Sequence, residues 1–348
     1  MSIRGLNMLL LGALTGVAGS ASAYTMGTRG VGVLVPYAIH DGAAETTAVA
    51  LMSADTTTCP FTSGGGDATQ ARVYWTFFDV NSNPVKGGSF QMTHNDIYPF
   101  IWATEGGDTV RGQPGYLLFV LDPNNDGMLA AGEGQWGCLS AEGFYAVVGE
   151  TDVAFVPTWP VESYDFAETE TGPVNLAALN ATSLTRLISA APNLLLAGFS
   201  LTGGEPVELD LRYSVGGGDT TQIVLWSAET IGGPGVTYSV ELFDHEQNRK
   251  VVELTLPNKE LNVIDPAAIA GRPADYTNGF IRFAPPISAG DADGDPDVCV
   301  PIAGSLPGTY TDVGCDGGGV VSFSVIHSPG LGARQTIINP NSPASALF

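Results

Sequence analysis

The chain has 348 residues, with 36 acidic against 13 basic side chains and a formal net charge of −23. So acidic a surface excludes nucleic acid and anionic membranes as natural partners. With 44% hydrophobic and only 14% charged residues, the chain nonetheless has the composition of a folded protein rather than an acidic disordered one.

Residues 1–23 read as a cleaved secretory signal. Arg4 supplies the basic start, residues 8–17 the apolar run, and Ala21-Ser22-Ala23 the small-residue exit. That run is shorter than the roughly 20 residues a membrane span needs. The expectation is an exported protein, extracellular, cell-surface or periplasmic, with no transmembrane segment after cleavage.

From there the pattern is β throughout. Short runs rich in Val, Tyr, Phe, Thr and Ile at 31–39, 46–52, 71–80, 88–92, 116–121 and 144–148 predict strands, and Asn81-Ser82-Asn83-Pro84 is a turn between two of them. These define a first domain over 24–160. The nearly continuous apolar run Tyr74-Trp75-Thr76-Phe77-Phe78 predicts a strand covered on both faces, with an exposed sugar-stacking platform as the alternative.

Export also frames the four cysteines, since disulfides persist in oxidising compartments. Four allow three connectivities, and Cys59 with Cys138 and Cys299 with Cys315 is the pairing that keeps each bridge within one half. No CxxC occurs, which argues against a zinc or redox site.

Residues 122–133, DPNNDGMLAAGE, carry the most specific signal. Calcium takes six to eight oxygens, and a twelve-residue loop supplies them from positions one, three, five, seven, nine and twelve, with glycine at six. Asp122, Asn124 and Asp126 fill one, three and five, and Gly127 stands at six. The Met128 carbonyl fills seven, Ala130 leaves nine to a water, and Glu133 closes at twelve. Over these residues alone the chain resembles an EF-hand loop. The flanks, GYLLFVL before and GQWGC after, replace its helices, so the resemblance implies a Ca²⁺ clamp of about 0.1–1 mM affinity rather than a switch.

Residues 161–200 read as an acidic linker carrying a short helix, with Leu176, Leu179, Leu184, Leu187 and Ile188 on one face and Pro192 as its stop. Asn180-Ala181-Thr182 matches a glycosylation acceptor. A second domain spans 201–335, with strands predicted at 207–213, 222–226, 237–243, 250–256, 280–283 and 320–326. Its blocks follow the first domain in order. Thr46-Thr47-Ala48-Val49-Ala50-Leu51-Met52-Ser53 aligns with Thr220-Thr221-Gln222-Ile223-Val224-Leu225-Trp226-Ser227, with Tyr37 and Tyr213 preceding them. Phe77-Phe78-Asp79 then aligns with Leu242-Phe243-Asp244, residues 92–97 with 256–261, and Gly115-Tyr116-Leu117-Leu118-Phe119 with Gly279-Phe280-Ile281-Arg282-Phe283. The expected fold class is all-β, two tandem antiparallel Ig-like β-sandwiches from a diverged duplication. Where the first half has its ion loop, the second has Asp291, Asp293, Asp295 and Asp297, a second candidate for Ca²⁺. Residues 336–348 read as a flexible tail.

Enzyme signatures are poor. His40, His94, His245 and His327 show no metal-ligand spacing, and neither a GxSxG elbow nor a P-loop is present. Residues 32–53 followed by VYWTFFDVNSNPV resemble secreted bacterial β-sandwich proteins of uncharacterised function, which implies a surface or extracellular protein and carries over no catalytic residue. The expectation is a non-enzymatic, calcium-stabilised structural or adhesion protein. Its partners would be copies of itself, or cell-surface or matrix components including glycans. A carbohydrate-binding accessory protein and a secreted hydrolase are the alternatives.

Overall fold

A computed structural model of the chain describes residues 29–42, 45–55, 59, 69–129, 138–147, 152–161, 173–180, 183, 187, 207–227, 230–285, 300–301, 310–311, 320–339 and 341–343. The first half contributes β1 (Gly32–Ala38), β2 (Glu45–Ser53), β3 (Gln70–Asp79), β4 (Pro84–Thr93), β5 (Ile97–Ile101), helix α1 (Trp102–Gly106), β6 (Gly115–Asp122), β7 (Met128–Leu129), β8 (Leu139–Val147), β9 (Asp152–Val156) and β10 (Trp159–Val161). After β11 (Val174–Asn175) come β12 (Val207–Ser214), β13 (Thr220–Ser227), β14 (Thr237–Asp244), β15 (Arg249–Thr255), β16 (Leu261–Ile264) and β17 (Asn278–Phe283). The chain continues through β18 (Val300–Pro301), β19 (Tyr310–Thr311), β20 (Val320–Ser328), β21 (Ala333–Ile338) and β22 (Asn341–Pro343).

The strands pair antiparallel into a β-sandwich-like architecture. In the first half a five-stranded sheet ordered β10-β1-β6-β3-β4 accompanies a four-stranded sheet ordered β5-β2-β8-β9. The second half has a five-stranded sheet ordered β22-β12-β17-β14-β15 and a four-stranded sheet ordered β16-β13-β20-β21. Taken in chain order, the two patterns are the same.

Equivalence extends to single hydrogen bonds. The buried Thr47 hydroxyl receives the Ile39 N–H at 3.0 Å and donates to the Ile39 carbonyl at 3.3 Å; Thr221 does the same with Ser214 at 2.9 and 2.6 Å. Asp79 accepts from the N–H groups of Asn81 and Asn83, and Asp244 from those of Glu246 and Asn248. Both turns then place one non-glycine residue at positive φ, Ser82 at 58° and Gln247 at 67°. One sequence alignment shifts. Ala38, not Tyr37, pairs with Gly115 as Tyr213 pairs with Gly279, because β1 carries a register shift between Val35 and Ala38.

Period-two burial explains the cores. β2 alternates half-buried and buried residues, placing Val49 and Leu51 inward with Phe100. The ring of Phe100 then meets Phe119 of the facing sheet edge-on at 4.9 Å and Trp75 at 5.3 Å, so Trp75 is core rather than platform. β6 is buried along its whole length, consistent with cover on both faces.

The two cores are unequal in reach. Val224, Trp226, Val321, Phe323 and Leu261 belong to β13, β20 and β16, yet they pack into the core of the first half. Ile223, Leu225 and Ile264, alternating with them, face the second core instead. The second four-stranded sheet is therefore apolar on both sides, and the first half closes its outer one.

Two regions correct the sequence reading. β21 occupies 333–338 and β22 341–343, where a flexible tail was expected from 336. ARQTII alternates as an edge strand, with Asn339 buried and bonded to Ser322 and Ser324. Within 161–200 the described residues are bound into the first half: Val161 lies in β10, β11 pairs with β7, and Leu176, Leu179 and Leu187 are buried. Asn180 and Ser183 exchange hydrogen bonds at 2.7 and 3.1 Å as a capping box does. Leu184, Ile188 and Pro192 lie outside the described residues. Strand β5 was missed because Pro99 sits at its centre, which an edge strand tolerates.

Candidate metal centre

The candidate ion loop begins where β6 ends. Asp122 is the last residue of that strand and fully buried. Its Oδ1 accepts the Asn124 N–H at 3.1 Å and its Oδ2 the Gly127 N–H at 2.8 Å, so the carboxylate folds the loop back over the strand end. Burial pushes the Asp122 carboxyl above its ordinary range, and the N–H groups of Gly127 and Asn124 pull it back. Asp126 is exposed and accepts the Met128 N–H at 2.9 Å.

Gly127 has φ +81° and Asn125 φ +56°. Glycine adopts the first conformation without steric cost, and asparagine is among the few residues that tolerate the second. The Asn125 amide donates to the Gln70 carbonyl at 2.8 Å, tying the loop to β3, and its Oδ1 is buried with no partner among the described residues. On the far side β7 pairs with β11, Val174 opposite Leu129 and Asn175 opposite Met128, and the Leu176 N–H donates to the Gly127 carbonyl at 2.9 Å. The connection to the second half is thus fastened to the loop. Sequence reading missed that strand pair, because two residues carry no periodicity.

The donor types suit a hard cation: Asp122, Asn124, Asp126 and the Met128 carbonyl would each offer an oxygen. Glu133, which would close the shell, lies outside the described residues, as do Asp291, Asp293, Asp295, Asp297, Cys299 and Cys315. Among the described residues no group of three or more His, Cys, Asp or Glu side chains converges.

Cys59 and Cys138 form a disulfide, with Cα atoms 5.2 Å apart and a sequence separation of 79. Cys138 precedes β8, which fastens the return from the loop region to the segment after β2.

The histidines do not meet. His40 is buried edge-on against Trp102 at 5.9 Å, and burial holds its imidazole below its usual range. The Nε2 of His94 lies 3.0 Å from the Cys59 carbonyl, His245 is exposed in a turn, and His327 lines a cleft. That cleft, about 300 Å³, opens at the junction of the halves beside Tyr145, Asp219, Asp265 and Arg334.

Three polar features of the junction carried no sequence signal. The Ser82 hydroxyl and Tyr116 phenol share a buried hydrogen bond at 2.5 Å, and Tyr116 meets Trp226 edge-on. Tyr145 bonds Glu45. Glu260 is buried against the Val80–Ser82 turn, its N–H donating to the Val80 carbonyl at 3.3 Å. No family model, curated protein or solved structure matches the chain.

Proposed function

We propose that this is an exported, non-enzymatic structural or adhesion protein of the cell surface or extracellular space, stiffened by calcium and disulfides. Its architecture is two tandem Ig-like sandwiches descended from one ancestral unit. The repeated strand order and the matched Thr47/Thr221 and Asp79/Asp244 bonds support the duplication. The acidic composition and signal-like start support export into a medium where a weak calcium site is filled.

One observation carries the calcium reading: a buried carboxylate, Asp122, opens a loop of EF-hand spacing that is hydrogen-bonded to the interdomain connection. A cation there offsets the cost of burying that charge and rigidifies the link. Asp122, Asn124, Asp126, Met128 and Glu133 are the assigned ligands, with Asp291, Asp293, Asp295 and Asp297 as a second cluster.

The test is thermal unfolding of the mature chain with millimolar calcium or with chelator. The intact protein melts higher in calcium, since a ligand that binds only the folded state stabilises it by mass action. Asp122→Ala with Glu133→Ala removes most of that difference; any remainder reports the second cluster. Identical melting of the intact chain in both media rejects the reading.

A further inference from the structure

The apolar face and the aromatic pair that meet in the joint between the halves have more exposed counterparts at the two ends of the molecule. In the joint, strand ends of the first half, led by the turn at 80–82 and by Tyr116, close over the outer face of β16-β13-β20-β21. Register identifies the matching face in the first half. Ala50 stands where Val224 does, Met52 where Trp226 does, and Ile97 where Leu261 does. Its counterpart is sealed, but this face is open, with Ile97 66%, Val153 52% and Ile101 39% exposed.

The other end carries the matching plug. Phe243 and Phe280 stack at 4.7 Å as Phe78 and Tyr116 stack at 5.2 Å, yet they are only half-buried where the first pair is sealed. Residues 245–248 form the same turn as 80–83, exposed throughout.

We propose that a second copy of this chain docks head to tail, the 245–248 turn and adjoining strand ends of one molecule closing over the β5-β2-β8-β9 face of the next. This rests on the assembly role proposed above and names its partner and surfaces. Charge favours that pairing. The turn's His245 is neutral at pH 7 and its exposed Glu246 is acidic, and Arg249 is already paired with Glu241, so the complementary charge is exposed Lys250 at the turn's exit against exposed Glu142 on the face, at the place of Phe323. Such an interface is heterologous, so it propagates into chains unless its rotation closes a ring.

The contact is weaker than the internal one. The Glu260 and Leu261 N–H groups donate to Val80, whereas their counterparts on Asp96 and Ile97 are bonded at 2.9 Å to Ser53 Oγ and to the Asp96 carboxylate. An incoming turn must displace those bonds. Four strands about 4.8 Å apart and about five residues long span roughly 19 by 17 Å, less than the roughly 800 Å² per partner of a standard interface. Association is therefore expected to be of the weak, transient class.

Sedimentation velocity on calcium-loaded mature chain from about 1 to 200 µM tests this with two exposed-site variants. One carries Ile97→Glu on the face, the other His245→Glu with Lys250→Glu on the turn. Head-to-tail docking predicts concentration-dependent oligomers of the intact chain. Each variant alone loses at least about tenfold in association, and their equimolar mixture forms dimers only, because each molecule keeps one working end. A monomeric intact chain over the whole range overturns the proposal, as does a monomeric mixture. If Ile97→Glu blocks association while the turn variant assembles normally, the face pairs with itself and the head-to-tail assignment is wrong. Circular dichroism confirms that both variants fold, and the calcium melting experiment is scored separately, so failure of docking is distinguishable from failure of the calcium reading.

Discussion

Tyr116 and Trp226 meet edge to face with ring centroids 5.6 Å apart, one at the start of β6 and the other near the end of β13. The contact joins the halves at the point where Ser82, Glu260 and the Val80 carbonyl also converge. Trp226 is fully buried by it, although it points away from the core of its own half.

Removing that ring should be costly. Trp226→Ala is expected to lower stability by about 3–5 kcal/mol, the range for a buried large-to-small change that leaves a cavity. Met52→Ala, at the equivalent but open position, should cost about 1 kcal/mol or less. Chemical denaturation of both variants measures the difference; equal losses would mean that the joint does not seal the second face.

Glu260 makes the joint pH-dependent. Its carboxyl is raised above the ordinary range, first by burial, against the opposing pull of the Ser82 hydroxyl and Lys259. A carboxyl raised on folding stabilises the protein below its unfolded pKa, and that contribution is lost as pH rises through the folded value. Glu260→Gln should therefore flatten the decline in stability above about pH 4.3, the unfolded reference for glutamate. Melting temperatures of both proteins between acid and neutral pH decide it, and parallel curves would contradict the assignment.

Gly127 holds the ion loop at φ +81°. Gly127→Ala should destabilise by about 1–3 kcal/mol in chelator, from backbone strain alone, and weaken any calcium stabilisation further. If the variant melts with the parent in both media, the loop backbone does not adopt this turn in solution.

The matched threonines offer an internal control. Thr47→Val and Thr221→Val each strand a backbone N–H that the hydroxyl satisfies, of Ile39 and of Ser214. Each should cost about 1 kcal/mol, the net worth of a typical intramolecular hydrogen bond at these part-buried donors. Urea midpoints that shift for one variant only would show that the two bonds are not energetically equivalent.

Reduction gives the last prediction. Closing a loop of 79 residues is worth about 4 kcal/mol in the chain-entropy model. Cys59→Ala with Cys138→Ala should destabilise by that order, read as a lowered denaturation midpoint.

Much of the fold was legible because burial on one face imposes period two. TTAVALMS alternates in burial, whereas TTQIVLWS is buried on both faces from Ile223 onward, and both became the second strand of a four-stranded sheet. Edge strands were harder. Pro99 in β5 and the polar ARQTII of β21 bury little, so they write little into the pattern. At the candidate site, ligand types and spacing were readable from the twelve residues themselves. The pairing of Leu129 with Val174 was not, since a two-residue ladder has no signature.

Composition, strand periodicity, the order of repeated blocks and the oxygen-ligand spacing of the loop were thus determined by the sequence, because each is a local consequence of which side chains meet water. Only the tertiary structure decided that one outer sheet face is sealed and its counterpart open. Val224 and Ala50, or Trp226 and Met52, differ modestly as letters. What separates them is whether another part of the chain lies across them, and that depends on contacts between residues far apart in sequence.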